Sequence, residues 1–244
     1  MKKHKKLFFT LLILCKVVTI ALIGFFIYTE IYYHAVEVDK YLEDSATVEV
    51  TETSDTITFT PLDTTATTGF IFYPGAKVEA KAYAPLMREL AEDDIYTVIV
   101  KMPFNLAMFG INKANDVLSS TTGISSWYIG GHSLGGAMAS TYLANNVDKY
   151  DGLVLLASYS TKDLSSSGLK VASIVGTNDQ VVNRTNLENN KINLPSDTTF
   201  VNIEGGNHSR FASYGEQKGD GEATISTLEQ INQTKLVIEN LINQ

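Results

Sequence analysis

The chain has 244 residues, a net charge of −8, and 44% hydrophobic and 19% charged residues. That composition excludes a disordered or collagen-like chain, and the acidic balance excludes a general nucleic-acid binder, which needs a basic footprint. A single cysteine, Cys15, excludes an intramolecular disulfide and a thiolate zinc cluster.

The charge is uneven along the chain. Lys2, Lys3, Lys5 and Lys6 make a basic head, and Glu30 is the one acidic residue before position 35. Between them, Leu7 to Tyr28 is apolar apart from Thr10, Lys16 and Thr19. At about 1.5 Å per residue this run reaches about 33 Å, enough to cross a bilayer core. Tyr28, Tyr32 and Tyr33 fit an interfacial aromatic belt. Lys16 opposes the reading by roughly 2.5–3.5 kcal/mol unless it snorkels toward the basic end. Residues 1–34 are therefore expected to be a basic head and single membrane anchor. The positive head predicts a cytoplasmic N-terminus and an outward-facing body in the cell membrane. The alternative is a signal peptide, cleaved to release a secreted protein. Its best small-x-small site, Thr19-Ile20-Ala21, lies inside the apolar run.

Residues 35–45 are polar and mixed and read as a stalk, leaving 46–244 as one catalytic domain. Thr47–Thr51 and Thr56–Thr60 alternate with period two and predict a hairpin. Further strands are expected at Gly69–Tyr73, Tyr96–Val100, Trp127–Gly130, Leu153–Ala157, Val171–Val175 and Thr199–Ile203. Several are apolar on both faces, as buried parallel strands are. Helical patterns fall at Ala82–Glu92, Asn112–Ser119, Gly135–Asn146 and about Glu222–Ile242, the last with a stripe that reads as core packing. The alternation predicts an α/β fold, with a mostly parallel central sheet and helices on both faces.

Gly131-His-Ser133-Leu-Gly135 follows an expected strand and opens an expected helix. In that setting G-x-S-x-G forms a sharp turn that lifts the serine hydroxyl above the sheet edge, which makes Ser133 the candidate nucleophile. The base follows by elimination among four histidines. His4 is in the basic head, His34 is beside the apolar run, and His132 points away from the neighbouring hydroxyl. His208 remains, just after a strand. Asp179 ends the turn after Val171–Val175 and supplies the carboxylate that fixes the imidazole tautomer. Asp151, Asp163 and Asp197 do not end strands. The expected oxyanion donors are the backbone N–H groups of Leu134, which follows the nucleophile, and Ala76, in the loop after Gly69–Tyr73. Phe104, Leu106 and Met108, with Phe109, form an apolar loop that either lines the acyl side of the site or packs beneath it.

With these residues in view, the chain resembles the α/β hydrolases, nearest the small uncapped branch related to dienelactone hydrolases. The resemblance runs from Phe70 to Ile225. It rests on Tyr73-Pro-Gly, Tyr83-x-Pro85, Pro103-x-Asn105-Leu-Ala107, the Gly131–Gly135 elbow, Gly176-x-x-Asp179, Gly206-Asn-His208 and Gly215-x-Gln217-x-Gly219-Asp220. Dienelactone hydrolases use a cysteine nucleophile and this chain has Ser133, so their substrate does not carry over. The resemblance implies Ser–His–Asp ester chemistry and no cofactor. No H-E-x-x-H is present, so no metal is expected. The short stretch from Ser133 to Asp179 leaves little room for a lid, and an open site is expected. The expected function is a membrane-anchored serine hydrolase acting on small-molecule or envelope esters. Thioesterase, lactonase, peptidase and acyltransferase activities would use the same triad. A non-catalytic tethered binding module is the alternative from a different class.

Overall fold

The computed structural model describes residues 2–244; Met1, the first residue of the expected basic head, lies outside them, as do the side chains of residues 2–4 and 7. The chain divides after Tyr32 into two units. The first is a single helix, α1 (Lys2–Glu30). Its segment Phe8–Glu30 spans 23 residues, contains an 18-residue stretch with a mean hydropathy of 2.5, and is the one helix among the described residues long and apolar enough to cross a membrane. Two of its polar residues are satisfied within the helix: the Thr10 and Thr19 hydroxyls donate to the carbonyls of Lys6 and Cys15, at 3.0 and 2.9 Å.

The second unit is built on an eight-stranded sheet. Its strands are β1 (Val48–Glu52), β2 (Thr56–Pro61), β3 (Thr68–Tyr73), β4 (Ile95–Val100), β5 (Ser126–His132), β6 (Gly152–Leu156), β7 (Lys170–Gly176) and β8 (Thr199–Ile203). They lie in the order β1-β2-β4-β3-β5-β6-β7-β8. The β1–β2 and β2–β4 pairs are antiparallel and the rest are parallel. Every expected strand is present, with ends shifted by two residues at most. The central strands are buried along their length, as their unbroken apolar runs require, whereas β2 buries Ile57 and Phe59 and leaves its threonines half-exposed.

Helices cover both faces. On one side α2 (Ala84–Glu92) and α6 (Thr227–Ile242) contribute Leu86, Met87, Leu90, Ile231 and Ile238 to the core. On the other, α3 (Ala114–Ser120) and α4 (Leu134–Leu143) contribute Ala114, Val117, Ala139 and Leu143. Pro85 in the first turn of α2 fits the fixed φ of a helix start. α6 begins at Thr227 and not near Glu222. Ser226 caps it by accepting the Glu229 N–H at 3.1 Å, while residues 222–224 are drawn into loop contacts through Asn178 and Gly205. One short helix, α5 (Arg184–Asn189), was not expected. It has no apolar period and starts on an Asn183 cap.

The segment expected as a stalk lies against this unit. Val38 is buried, Val36 N–H donates to Ser213 O at 2.8 Å, and the Arg88 guanidinium donates to Glu43 O at 2.7 Å. Residues 157–169 join β6 to β7 without a helix, and no cap domain interrupts the fold. The chain leaves β3 toward β4 on one side and returns to β5 on the other. That reversal makes the carboxyl ends of β3 and β5 the topological switch point, the place where open α/β sheets bind ligands.

Leu155 in β6 is fully buried. Leu155→Ala is expected to lower the unfolding free energy by about 2–5 kcal/mol, measured by chemical denaturation. A change below about 0.5 kcal/mol, the size of a surface substitution, would contradict its place in the core.

Candidate active site

Ser133 stands at the turn from β5 to α4 with φ 52° and ψ −123°. This backbone conformation is costly for a residue with a Cβ, by about 1–3 kcal/mol, and persists only where the surroundings hold it. Here they do. Ser133 N–H donates to Leu156 O at 2.9 Å, and its carbonyl accepts the Ala137 N–H at 3.2 Å and the Ser158 hydroxyl at 2.7 Å. The flanking glycines answer a packing demand. A Cβ on Gly135 would overlap the carbonyl oxygens of Tyr73 and Pro74, and one on Gly131 would overlap the backbone of Gly135 and Gly136. The start of α4 is thereby pressed against the chain leaving β3.

Asp179 and His208 are brought together from the loops after β7 and β8. His208 Nδ1 lies 2.9 Å from Asp179 Oδ2, and the two residues are 2% and 4% exposed. The other carboxylate oxygen, Oδ1, accepts the N–H groups of Val181 and Val182 at 2.8 and 2.9 Å. The carboxylate is therefore satisfied on both sides and fixed in direction. With Nδ1 committed to it, Nε2 is the imidazole nitrogen left for proton transfer. Among the described residues the Ser133 hydroxyl makes no hydrogen bond to that nitrogen. Such bonds are often long in a site without substrate and tighten when it binds.

Several supports were given no role by the sequence, although Asp220 stands in one of the motifs quoted above. Asn207, beside His208, is held by Gln230 of α6: its N–H donates to Gln230 Oε1 at 3.0 Å, and Gln230 Nε2 donates to its carbonyl at 2.8 Å. α6 is thus more than core packing. Asp220 ties the two loops together, accepting from Ser209 N–H at 2.8 Å and Gln180 N–H at 3.3 Å. Arg184 donates to the carbonyls of Gly176 and Asp179 at 2.6 and 3.1 Å, closing the turn that carries the acid.

His132 lies under the base. It is buried, its ring centroid is 4.5 Å from that of His208, and Phe211 flanks it at 5.7 Å. Its Nδ1 is 2.8 Å from the Tyr83 hydroxyl, which also accepts the Gly75 N–H at 2.9 Å. Burial, aided by the neighbouring His208, pushes the His132 pKa well below the ordinary imidazole value. Burial likewise pushes the Tyr83 phenol up. Both groups therefore stay neutral at pH 7.

The loop after β3 turns at Gly75–Val78, closed by Val78 N–H to Gly75 O at 3.3 Å. Lys77 in this turn has φ 57°, and its N–H donates to Asn105 O at 2.7 Å. The neighbouring Ala76 N–H has no acceptor among the described residues. Leu134, the first residue of α4, likewise keeps an N–H without an intrahelical partner. Both amides, which the sequence made candidate oxyanion donors, are thus without a hydrogen-bond acceptor among the described residues. In the apolar loop, Phe104 and Met108 are 41% and 51% exposed and Leu106 is 7% exposed. Phe104 packs edge-on to Phe109. The Asn105 bond joins this loop to the Ala76 turn. No group of three or more His, Cys, Asp or Glu side chains placed to hold a metal occurs among the described residues.

The sequence model of a family described as the Alpha/beta hydrolase family matches residues 69–232. No curated protein sequence matches the chain. Among solved structures, Est1E from Butyrivibrio proteoclasticus is similar at 12% identity and a TM-score of 0.60, covering 82% of this chain and 100% of its own. A predicted CIB-like hydrolase from Thermoplasma acidophilum is similar at 14% identity and 0.58, covering 79% and 97%. Alpha/beta hydrolase domain-containing protein 10 from mouse is similar at 15% and 0.54, covering 81% and 99%. At these identities the likeness is one of fold.

The depressed His132 pKa makes a prediction about stability. Folded His132 is neutral, whereas the unfolded imidazole takes a proton below about pH 6.5. Its contribution is complete above that pH and falls as pH drops, by up to about 1.4 kcal/mol per unit. The unfolding free energy of the wild type minus that of His132→Asn is therefore expected to shrink between pH 7.5 and pH 5. A pH-independent difference would contradict the assignment.

Proposed function

The chain belongs to the alpha/beta hydrolase family, and on that premise we propose that it is a serine hydrolase of carboxylic esters. Ser133 Oγ attacks the ester carbonyl carbon as His208 Nε2 takes the hydroxyl proton. Asp179 stabilises the imidazolium that forms. The N–H groups of Ala76 and Leu134 bind the carbonyl oxygen as it becomes an oxyanion. When the tetrahedral intermediate collapses, the C–O bond to the alcohol breaks and His208 protonates the leaving oxygen. Water, deprotonated by His208, then attacks the acyl-enzyme, and the acid leaves with Ser133 restored.

The observation that carries this reading is the buried Asp179–His208 bond packed, through His132, against a strained Ser133. A carboxylate, an imidazole and an uncommon serine conformation converge at one sheet edge. Structural packing alone gives no reason for that convergence. Est1E, one of the similar folds, has been solved with ferulic acid bound, which fits an ester-derived acid as the product class. The exposed Phe104 and Met108 beside the Ala76 turn suit an apolar acyl group at an open site.

The second part of the proposal is the setting. The exposed apolar surface of Phe8–Glu30, behind Lys2, Lys3, Lys5 and Lys6, supports a single-pass anchor with a cytoplasmic N-terminus and the hydrolase on the outer face. Its substrates would then be esters of the envelope or small esters that reach it.

Against a series of nitrophenyl esters, Ser133→Ala and His208→Gln are each expected to lower kcat by about 10⁴-fold or more, and Asp179→Asn by about 10⁴-fold. Retention of more than a tenth of wild-type activity in Ser133→Ala would reject the mechanism. For the setting, protease added to intact cells is expected to digest the hydrolase unit, with the full-length chain resisting carbonate extraction. Digestion only after lysis, or a mature chain lacking the apolar segment, would reject the proposed topology.

A further inference from the structure

We propose that Tyr33 is a positioning residue for the oxyanion donor Ala76, and that residues 33–36 brace the loop that carries it. The proposal rests on the serine-hydrolase reading and adds to it a working part that lies outside residues 69–232, the region the family model matches.

Tyr33 pairs in parallel with Val78. Its N–H donates to Lys77 O at 2.7 Å, and its carbonyl accepts the Glu79 N–H at 2.9 Å. These two bonds straddle Val78, the last residue of the turn that presents Ala76. Glu79 closes the pairing from its side chain, since Oε2 accepts the Ala35 N–H at 2.9 Å. The far side of the brace is anchored to the chain beyond His208. The Tyr33 ring lies 5.4 Å from that of Tyr214, its hydroxyl accepts the Lys218 N–H at 3.2 Å, and Val36 N–H donates to Ser213 O at 2.8 Å.

The turn needs such a brace. Lys77 sits at φ 57° without the freedom of glycine, and the bond that closes the turn is long at 3.3 Å. Lys77 is held from two directions: its N–H by the Asn105 carbonyl and its carbonyl by Tyr33. The Ala76 N–H lies one peptide unit before the Lys77 N–H, so holding Lys77 limits where the Ala76 N–H points. A backbone donor contributes to catalysis only if it is already aimed where the oxyanion will form, and a misplacement of about 1 Å costs about 10²-fold. Tyr33 follows the last residue of α1, Glu30, by three positions. The segment that continues from the apolar helix is thus part of the catalytic apparatus and not a passive connector.

The test uses the full-length chain in detergent micelles, with a soluble short-chain ester as substrate and a phenylboronic acid as probe. Boron takes the place of the carbonyl carbon on Ser133, so one of its oxygens reports on the two amides. Tyr33→Ala is expected to lower kcat and boronate affinity together, by about 10- to 100-fold, with KM within about twofold. Tyr33→Phe keeps the ring against Tyr214 and is expected to recover most of both. Glu79→Ala, which removes the acceptor of Ala35 N–H, is expected to shift kcat and boronate affinity in the same direction, and it decides the matter if Tyr33→Ala does not fold. Unchanged kcat in these variants, or a loss of kcat with boronate affinity intact, would overturn the brace. A wild type that neither binds boronate nor reacts with a fluorophosphonate would instead overturn the serine-hydrolase reading beneath it.

Discussion

The turn between β5 and α4 is the constraint from which the site follows. To leave the strand and enter the helix at once, the chain must pass within contact distance of the backbone leaving β3, and Gly131 and Gly135 are what permit it. At the same turn Ser133 takes a strained conformation, and Gly135 in the first turn of α4 lies against the Tyr73 and Pro74 carbonyls. Strain at Ser133 is offset by bonds from Leu156, Ser158 and Ala137, all from elements packed around the turn. The strained conformation of Ser133 and the close seating of α4 against the chain leaving β3 are thus two consequences of one packing event.

The remaining parts are loops, and loops need ties. The Asp179 loop is closed on itself by Arg184 and by the two amides that Asp179 accepts. The His208 loop is pinned by Gln230 and by Asp220. His132 and Tyr83 carry contact from His208 to Gly75 at the start of the Ala76 turn. Tyr33 completes the enclosure from the far side. These loops are therefore linked through polar side chains, of which Gln230, His132 and Tyr83 are buried and would be costly to leave unpaired.

The sheet was legible because parallel strands buried on both faces must be written as β-branched and apolar runs, and β3 to β7 are. The turn at Ser133 was legible because a close approach demands glycine at fixed spacing. The Asp179–His208 pairing was legible because histidines are few and strand ends are where loops can converge. What escaped detection has no local period. Gln230 reads as an ordinary helix residue, and its role depends on Asn207 more than twenty positions earlier. His132 bonds Tyr83, 49 positions away, and nothing nearby in sequence points to that partner. Tyr33 read as part of an aromatic belt, and its pairing with Val78 is a tertiary contact without a sequence signature. The start of α6 moved because Ser226 offers a cap that the apolar stripe alone does not mark.

The most direct test of the central claim is to treat the full-length chain with a fluorophosphonate and locate the adduct by peptide mass. The account predicts a single phosphonylated residue, Ser133, and no adduct in a folded Ser133→Ala chain. A folded wild type that takes no label, or one labelled at another residue, would contradict it.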